Sequence, residues 1–247
     1  MGVLWEKSVD GTHYSVRNAG QSVRLYSNGV FHSQWNPDRP FAGAIWDCLS
    51  LPCLYRPPAQ CRRVLVLGLG GGAGVRQLQT LLNFDSLVAI EIDAVHIQIA
   101  KKWFGVTQAN VHIEHDDAID WVKQYAGEGF DLIIDDLFGH ADNEPLRIQS
   151  LNKSWVDQLS ELLNPGGTLV INCITRGELL AAVPVFAASG FVQGYRWSSP
   201  EYENTIGVFF NQSVLSSQWL QHLNATDLSP AMKTAARWVV RRALTLR

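Results

Sequence analysis

The sequence predicts an α/β protein on a doubly wound, mostly parallel sheet, with a small antiparallel β cap at its N-terminus. Three observations carry that prediction. Val64-Leu65-Val66-Leu67 is an unbroken apolar run, as expected of a strand covered on both faces. Similar runs recur at 87–92, 130–135 and 168–174, separated by helical patterns at about 73–83, 93–104, 116–126 and 150–163, which is the rhythm of βαβ units. A glycine-rich segment, Gly68-Leu69-Gly70-Gly71-Gly72-Ala73-Gly74, joins the first run to the first helix.

Taken in order, residues 1–35 read as short strands. Tyr14, Val16, Val23, Leu25 and Tyr26 alternate with polar positions, and Asn28-Gly29 suits a tight hairpin. Residues 37–51 are expected to be helical, with Asn36 as cap and Pro37 in the first position. Pro52, Pro57 and Pro58 then mark a connector. After the fourth helix, Asn164-Pro165-Gly166-Gly167 forms a turn into the next strand. A helix at 178–189 and strands at 191–198 and 205–210 follow. A helical tail is expected last, capped by Ser229 and opened by Pro230, with Arg237, Arg241, Arg242 and Arg247 complementing the dipole at its end.

Composition narrows the function. With 247 residues, 47% hydrophobic and 17% charged, the chain can bury a sizeable core. A net charge of −3 argues against broad nucleic-acid binding, which needs a basic excess to displace counterions. The apolar runs are of strand length, short of the roughly 20 residues that cross a bilayer, so no membrane partner is expected. Glu6, Lys7 and Asp10 depart from a signal-peptide layout, and a cytoplasmic location is expected. Cys48, Cys53, Cys61 and Cys173 form no CxxC pair and read as free thiols. His112, His115 and His140 lack ligand spacing, so no metal is expected.

The chemistry gathers at strand ends. Gly68, Gly70 and Gly72 allow a sharp turn and the close approach of a ligand to the backbone. Glu91 ends the second strand about 20 residues on, where a carboxylate can accept from both ribose hydroxyls. Asp117 follows the third strand, placed to accept from an adenine amino group; capping a helix is its other role. Asp135 and Asp136 close the fourth strand at the carboxyl edge, where ligands of open α/β sheets bind. Either can serve as a base, but strand alternation turns them to opposite faces and separates them as a dyad. Trp35, Trp46, Trp197 and Tyr202 supply aromatic surface for an acceptor pocket or for packing.

These segments together resemble the spermidine/spermine synthase (polyamine aminopropyltransferase) family, within the Rossmann-like class I methyltransferase fold. Residues 64–72 are similar to its strand and GGGDG loop, Arg76 to its arginine, and Asp117-Ala118 to its adenine-side acid. Residues 130–136 resemble the strand bearing its catalytic aspartate, and Asn164-Pro165-Gly166-Gly167 its PGG turn. The resemblance covers roughly residues 14–210. It implies a transferase with Asp136 as catalytic acid-base and Gly68, Gly70, Gly72, Glu91, Asp117 and Asp135 on the cofactor. The cofactor implied is S-adenosylmethionine or its decarboxylated form, acting as co-substrate, with a small-molecule acceptor and a homodimer. It divides the chain into a β cap with linking helix (1–50) and a nucleotide-binding α/β domain with the tail (51–247). Three positions depart from the family: Gly71 replaces the loop aspartate, its tyrosine-histidine-glutamate stretch is not visible near Gly43, Ala44 and Ile45, and Leu137-Phe138-Gly139 lacks a second aspartate. Losing those acids weakens attraction for a polyamine and removes repulsion against the carboxylate of intact S-adenosylmethionine. A methyltransferase proper and a non-catalytic nucleotide-binding homologue are the alternatives.

Overall fold

The structure, a computed structural model, describes residues 2–141 and 144–246, without the side chains of residues 140–145. The His140 side chain and Arg247 from the sequence reading therefore lie outside what is described. Fourteen strands and eight helices are described. The cap is an antiparallel meander of β1 (Gly2–Val9), β2 (Thr12–Ala19), β3 (Ser22–Ser27) and β4 (Val30–Trp35). Its Asn28-Gly29 hairpin forms as expected, with Asn28 at φ 49° and Gly29 at φ 80°.

The main body alternates β5 (Arg63–Leu67), α2 (Ala73–Leu81), β6 (Ser86–Glu91), α3 (Ala94–Trp103), β7 (Val111–His115), α4 (Ala118–Gln124) and β8 (Phe130–Asp135). A small hairpin of β9 (Phe138–Ala141) and β10 (Glu144–Arg147) follows, then α5 (Lys153–Glu161), β11 (Leu163–Cys173), α6 (Arg176–Ala188), β12 (Gln193–Ser198) and β13 (Thr205–Phe210). The eight-stranded sheet has the order β14-β12-β13-β11-β8-β5-β6-β7, where β14 is Val240–Leu244. β5, β6, β7, β8 and β11 run parallel, whereas β13 pairs antiparallel with β11 and β12. From β5 the chain winds outward to β7 and returns to β8 on the other side of β5. The crevice between those carboxyl ends is the switch point at which such sheets bind ligands.

Double coverage explains the unbroken apolar runs. Val64 and Val66 enter a core shared with the cap residues Tyr14, Val16, Leu25 and Trp35. Leu65 and Leu67 enter a second core under α4, α5 and α6 with Ile133, Trp155 and Phe186. Sealed on both sides, β5 has no reason to alternate.

Two expectations are corrected. The helix over residues 37–51 shrinks to α1 (Ile45–Ser50), followed by a 3-10 turn at Leu51–Tyr55. Pro40 lacks an N–H and Gly43 turns at φ 81°, and Asn36 accepts from the Asp38 N–H in a local turn while donating to Ser22 Oγ. The tail also divides. α7 (Ser216–Ala225) and α8 (Pro230–Ala236) form, and Ser229 caps α8 as expected. Beyond it the chain straightens into β14, so Arg241 and Arg242 lie on an edge strand rather than a helix end. Packing overrides the dipole there: the Arg241 guanidinium sits 3.8 Å from the centroid of Trp219. The Asn164-Pro165-Gly166-Gly167 turn is drawn into β11 as an irregularity between Leu163 and Thr168.

Candidate active site

The glycine loop is shaped by close contact with β8. Gly68 sits at φ 89°, and a Cβ on it would lie 2.4 Å from the Asp136 carbonyl oxygen, so no other residue fits without moving the strand end. The Gly68 N–H donates to Ile90 O (3.0 Å) and the Asp136 N–H to Leu67 O (2.9 Å), fixing three strand ends together. Gly72 caps α2 at φ 83°, where a Cβ would come within 2.6 Å of Val106 Cγ2. Gly70 lies between them at the cap, next to Ser33 Oγ.

Glu91, buried at the end of β6, reaches back to that loop. Its Oε2 accepts from the N–H groups of Leu69 (3.0 Å) and Gly70 (2.9 Å), and its Oε1 from Asp93 (2.9 Å). An ionised carboxylate offers about four lone-pair sites, so roughly one remains here for a ligand hydroxyl. The cap closes the same corner. Ser33 Oγ accepts the Gly71 N–H (2.9 Å), and the Tyr14 hydroxyl donates to Asp93 (2.7 Å), whose other oxygen caps α3. Burial and the Asp93 carboxylate push Tyr14 up to about 12, which keeps it a donor.

Asp117 caps α4: its Oδ1 accepts from the Ile119 N–H (2.7 Å), leaving Oδ2 for a ligand. The capping role and the ligand role are compatible. Asp135 and Asp136 do part to opposite faces. Asp135 is fully buried and bonded to the Arg147 guanidinium and to Trp155 Nε1 (2.8 Å). The sequence places Asp135 on the cofactor; in the structure its carboxylate pairs with a buried cation. Burial alone would disfavour charge on Arg147, yet the pairing with Asp135 holds its pKa above the ordinary value.

Among the described residues, the Asp136 carboxylate has a single, neutral anchor. Asn172 Nδ2, from β11, donates to its Oδ1 (2.7 Å), and Asn204 Nδ2 donates in turn to Asn172 Oδ1 (3.1 Å). Burial raises its pKa to about 6, with Asp135 and Glu91 adding to the rise while Asn172 and Arg147 oppose it. A carboxylate that titrates near neutrality is suited to accept a proton at the crevice. The Asn172–Asn204 relay escaped sequence reasoning; a lone asparagine in Leu169-Val170-Ile171-Asn172-Cys173 was the available signal.

The departures acquire physical content. At Gly71, a Cβ would meet Phe104 Cζ and Ser33 Cβ, both at 2.7 Å, so the space an acidic side chain would start from is filled. Near residues 43–45, the nearest acid is Asp47, which is buried and holds the N–H groups of Ala42 and Gly43 and the Gln77 amide. Burial raises it to about 6, and those donors anchor it structurally. Of the four aromatic candidates, Trp35, Trp46 and Trp197 belong to the core, and Tyr202, packed against it, meets Trp46 edge to face at 5.9 Å. Among the described residues, no cluster of three or more His, Cys, Asp or Glu could hold a metal ion.

A parallel sheet wound in both directions from β5, with a glycine loop, Glu91 and Asp136 at its switch point, defines an α/β protein of the methyltransferase-like fold. Solved structures agree on that fold. Spermidine synthase from Thermotoga maritima superposes with a TM-score of 0.70 at 13% identity, covering 95% of this chain and 84% of that one. Human methyltransferase-like protein 13, solved with SAH, gives a TM-score of 0.61 at 20% identity, over 78% and 92%. The spermine/spermidine synthase domain matches residues 51–175, half of the chain, and the chain belongs to that family. Curated relatives include a polyamine aminopropyltransferase from Vibrio vulnificus, 25% identical over 186 residues. They also include an eEF1A lysine and N-terminal methyltransferase homolog from Drosophila melanogaster, 30% identical over 125 residues. These matches take in 74% and 47% of this chain, but only 60% and 18% of the respective relatives.

Proposed function

We propose that the chain is a transferase using an adenosyl-sulfonium donor, with intact S-adenosylmethionine favoured, and a small-molecule acceptor. The observation that carries this reading is the placement of Glu91 and Asp136 on either side of a glycine loop that tolerates no side chain at Gly68. Glu91 has an oxygen for a ribose hydroxyl, and Asp117 Oδ2 is available to an adenine amino group. When bound, the donor supplies an alkyl carbon activated by a positively charged sulfur. Asp136 then takes the proton of the attacking acceptor group, and Asn172, itself held by Asn204, fixes its orientation. Preference for the intact donor rests on Gly71: with Ser33 and Phe104 in the way, no carboxylate stands there to repel a carboxylated donor or attract an ammonium.

Aminopropyl transfer from the decarboxylated donor is the second reading. Family membership and the retained Asp136 favour it. Calorimetric titration with each donor separates the two: tighter binding of S-adenosylmethionine supports methyl transfer, and tighter binding of the decarboxylated form supports aminopropyl transfer. Binding of neither by a folded protein would refute both and leave a non-catalytic homologue. We further propose a cytoplasmic homodimer by analogy with the family; sedimentation of the purified chain tests the dimer.

A further inference from the structure

The opposite, amino-terminal edge of the sheet holds a separate cavity of about 120 Å³. It lies between the connector after α1, the start of β8 and the turn of β11, and Arg56 and Thr168 both line it. Leu132 lines it as well, and Asp136 lies four positions further along the chain, about 13 Å. The cavity is therefore distinct from the crevice of the proposed transfer.

Two of its polar atoms are left without partners among the described residues. The Arg56 guanidinium donates through Nη2 to Gln212 O (3.0 Å), while its Nε–H is buried and bonds to nothing. Among the described residues no ion pair engages Arg56. Burial lowers its pKa with no carboxylate to offset the cost. Thr168 is 2% exposed, and its hydroxyl also has no hydrogen-bond partner. The one acid at the cavity, Asp131, accepts instead from the backbone N–H groups of Arg62 and Arg63 and from Asn164 Nδ2, each at 2.8 Å. A half-buried guanidinium with a buried, unpartnered Nε–H, lining the same cavity as a buried, unpartnered hydroxyl, is costly unless something accepts from both. The volume admits several waters or one small oxyanion, and only an anion also compensates the charge.

We propose that this cavity binds a small oxyanion, phosphate-like or carboxylate-like, through the Arg56 guanidinium and the Thr168 hydroxyl. Cys53 and Cys61 form part of its wall as neutral thiols, since burial drives both thiol pKa values upward. The Gly166 backbone approaches closely: a Cβ there would stand 3.7 Å from Arg56 Cζ, so the turn and the guanidinium form one wall.

Isothermal titration of the full chain with sodium phosphate, against sodium chloride of equal ionic strength, tests this, with sodium acetate as a second arm. Saturable binding of phosphate is expected, weakened about tenfold or more by Arg56→Gln and about fivefold by Thr168→Val, as loss of a charged and a neutral hydrogen bond implies. Stronger binding of acetate would assign the natural ligand to carboxylates, within the same chemistry. Saturation by neither anion would overturn the proposal and leave a water-filled cavity, as would equal binding by wild type and Arg56→Gln. Should Arg56→Gln fail to fold, the near-isosteric Thr168→Val decides, together with the nitrogen-15 shift of Arg56 Nε in wild type on adding phosphate. Binding of S-adenosylmethionine is expected to be the same in both variants, so failure here is distinguishable from failure of the proposed transferase.

Discussion

Asp135 and Asp136 are neighbours in sequence and identical in chemistry, yet they belong to two unlike regions. Asp135 faces the core under α5, where Arg147 and Trp155 hold its carboxylate away from solvent. Asp136 faces the crevice, where an amide is its one side-chain partner among the described residues and burial raises it to about 6. A buried carboxylate held by a buried guanidinium and an indole N–H is committed to packing. One opposite an amide stays within reach of titration at neutral pH. The partner, more than the depth of burial, separates structure from chemistry here.

The largest way to break that contrast is Asp135→Ala. Leaving Arg147 charged and unpaired in the core is expected to cost about 3–5 kcal/mol in urea unfolding. A loss below about 1 kcal/mol would show that the pair is dispensable. Asp136→Asn acts in the other direction. In the folded chain Asp136 keeps its proton up to about pH 6, but in the unfolded chain it ionises near 3.9. The folded state therefore binds more protons across that window, and wild-type stability falls as pH rises from about 4 through 6. Relative to wild type, Asp136→Asn should gain about 1–3 kcal/mol above pH 7, discounted for partial exposure, with the gain vanishing near pH 4. Transfer activity should fall by about 10²–10⁴ in the same variant, and wild-type activity should rise with pH through about 6. The smallest effect sharpens the contrast. Asn172→Ala removes the hydrogen bond that lowers Asp136, so the acid limb of the pH profile should move up by less than about one unit, with Asp135 undisturbed. A downward move would contradict the assigned role of Asn172.

Much of this arrangement was legible in the sequence. The βαβ rhythm, the glycine loop, the position of Glu91 and the parting of two adjacent aspartates all follow from local pattern and strand alternation. The cap of Asp117 was legible too, because helix starts are local. Misreadings fell where distant contacts outweigh local preference. The tail after Ala236 has helix-compatible residues, but the open edge of β12 and the faces of Trp197 and Trp219 draw it into a strand. The partner of Asp135 was not legible either, because its countercharge, Arg147, lies 12 residues on, in a hairpin strand with no sequence signal of its own.

By itself, then, the sequence determined the class of fold, the location of the crevice and the types of residue around it. Hydrophobic periodicity, glycine and strand alternation act over a few residues and can be read in one dimension. Only the tertiary structure decided which carboxylate keeps its charge hidden, that Ser33 and Phe104 fill the space at Gly71, and that Asn172 and Asn204 reach Asp136. Those outcomes depend on groups 12 to 38 residues apart meeting at hydrogen-bond or van der Waals distance. Charge stabilisation and packing fall off within a few ångströms, so they depend on proximity in space rather than along the chain.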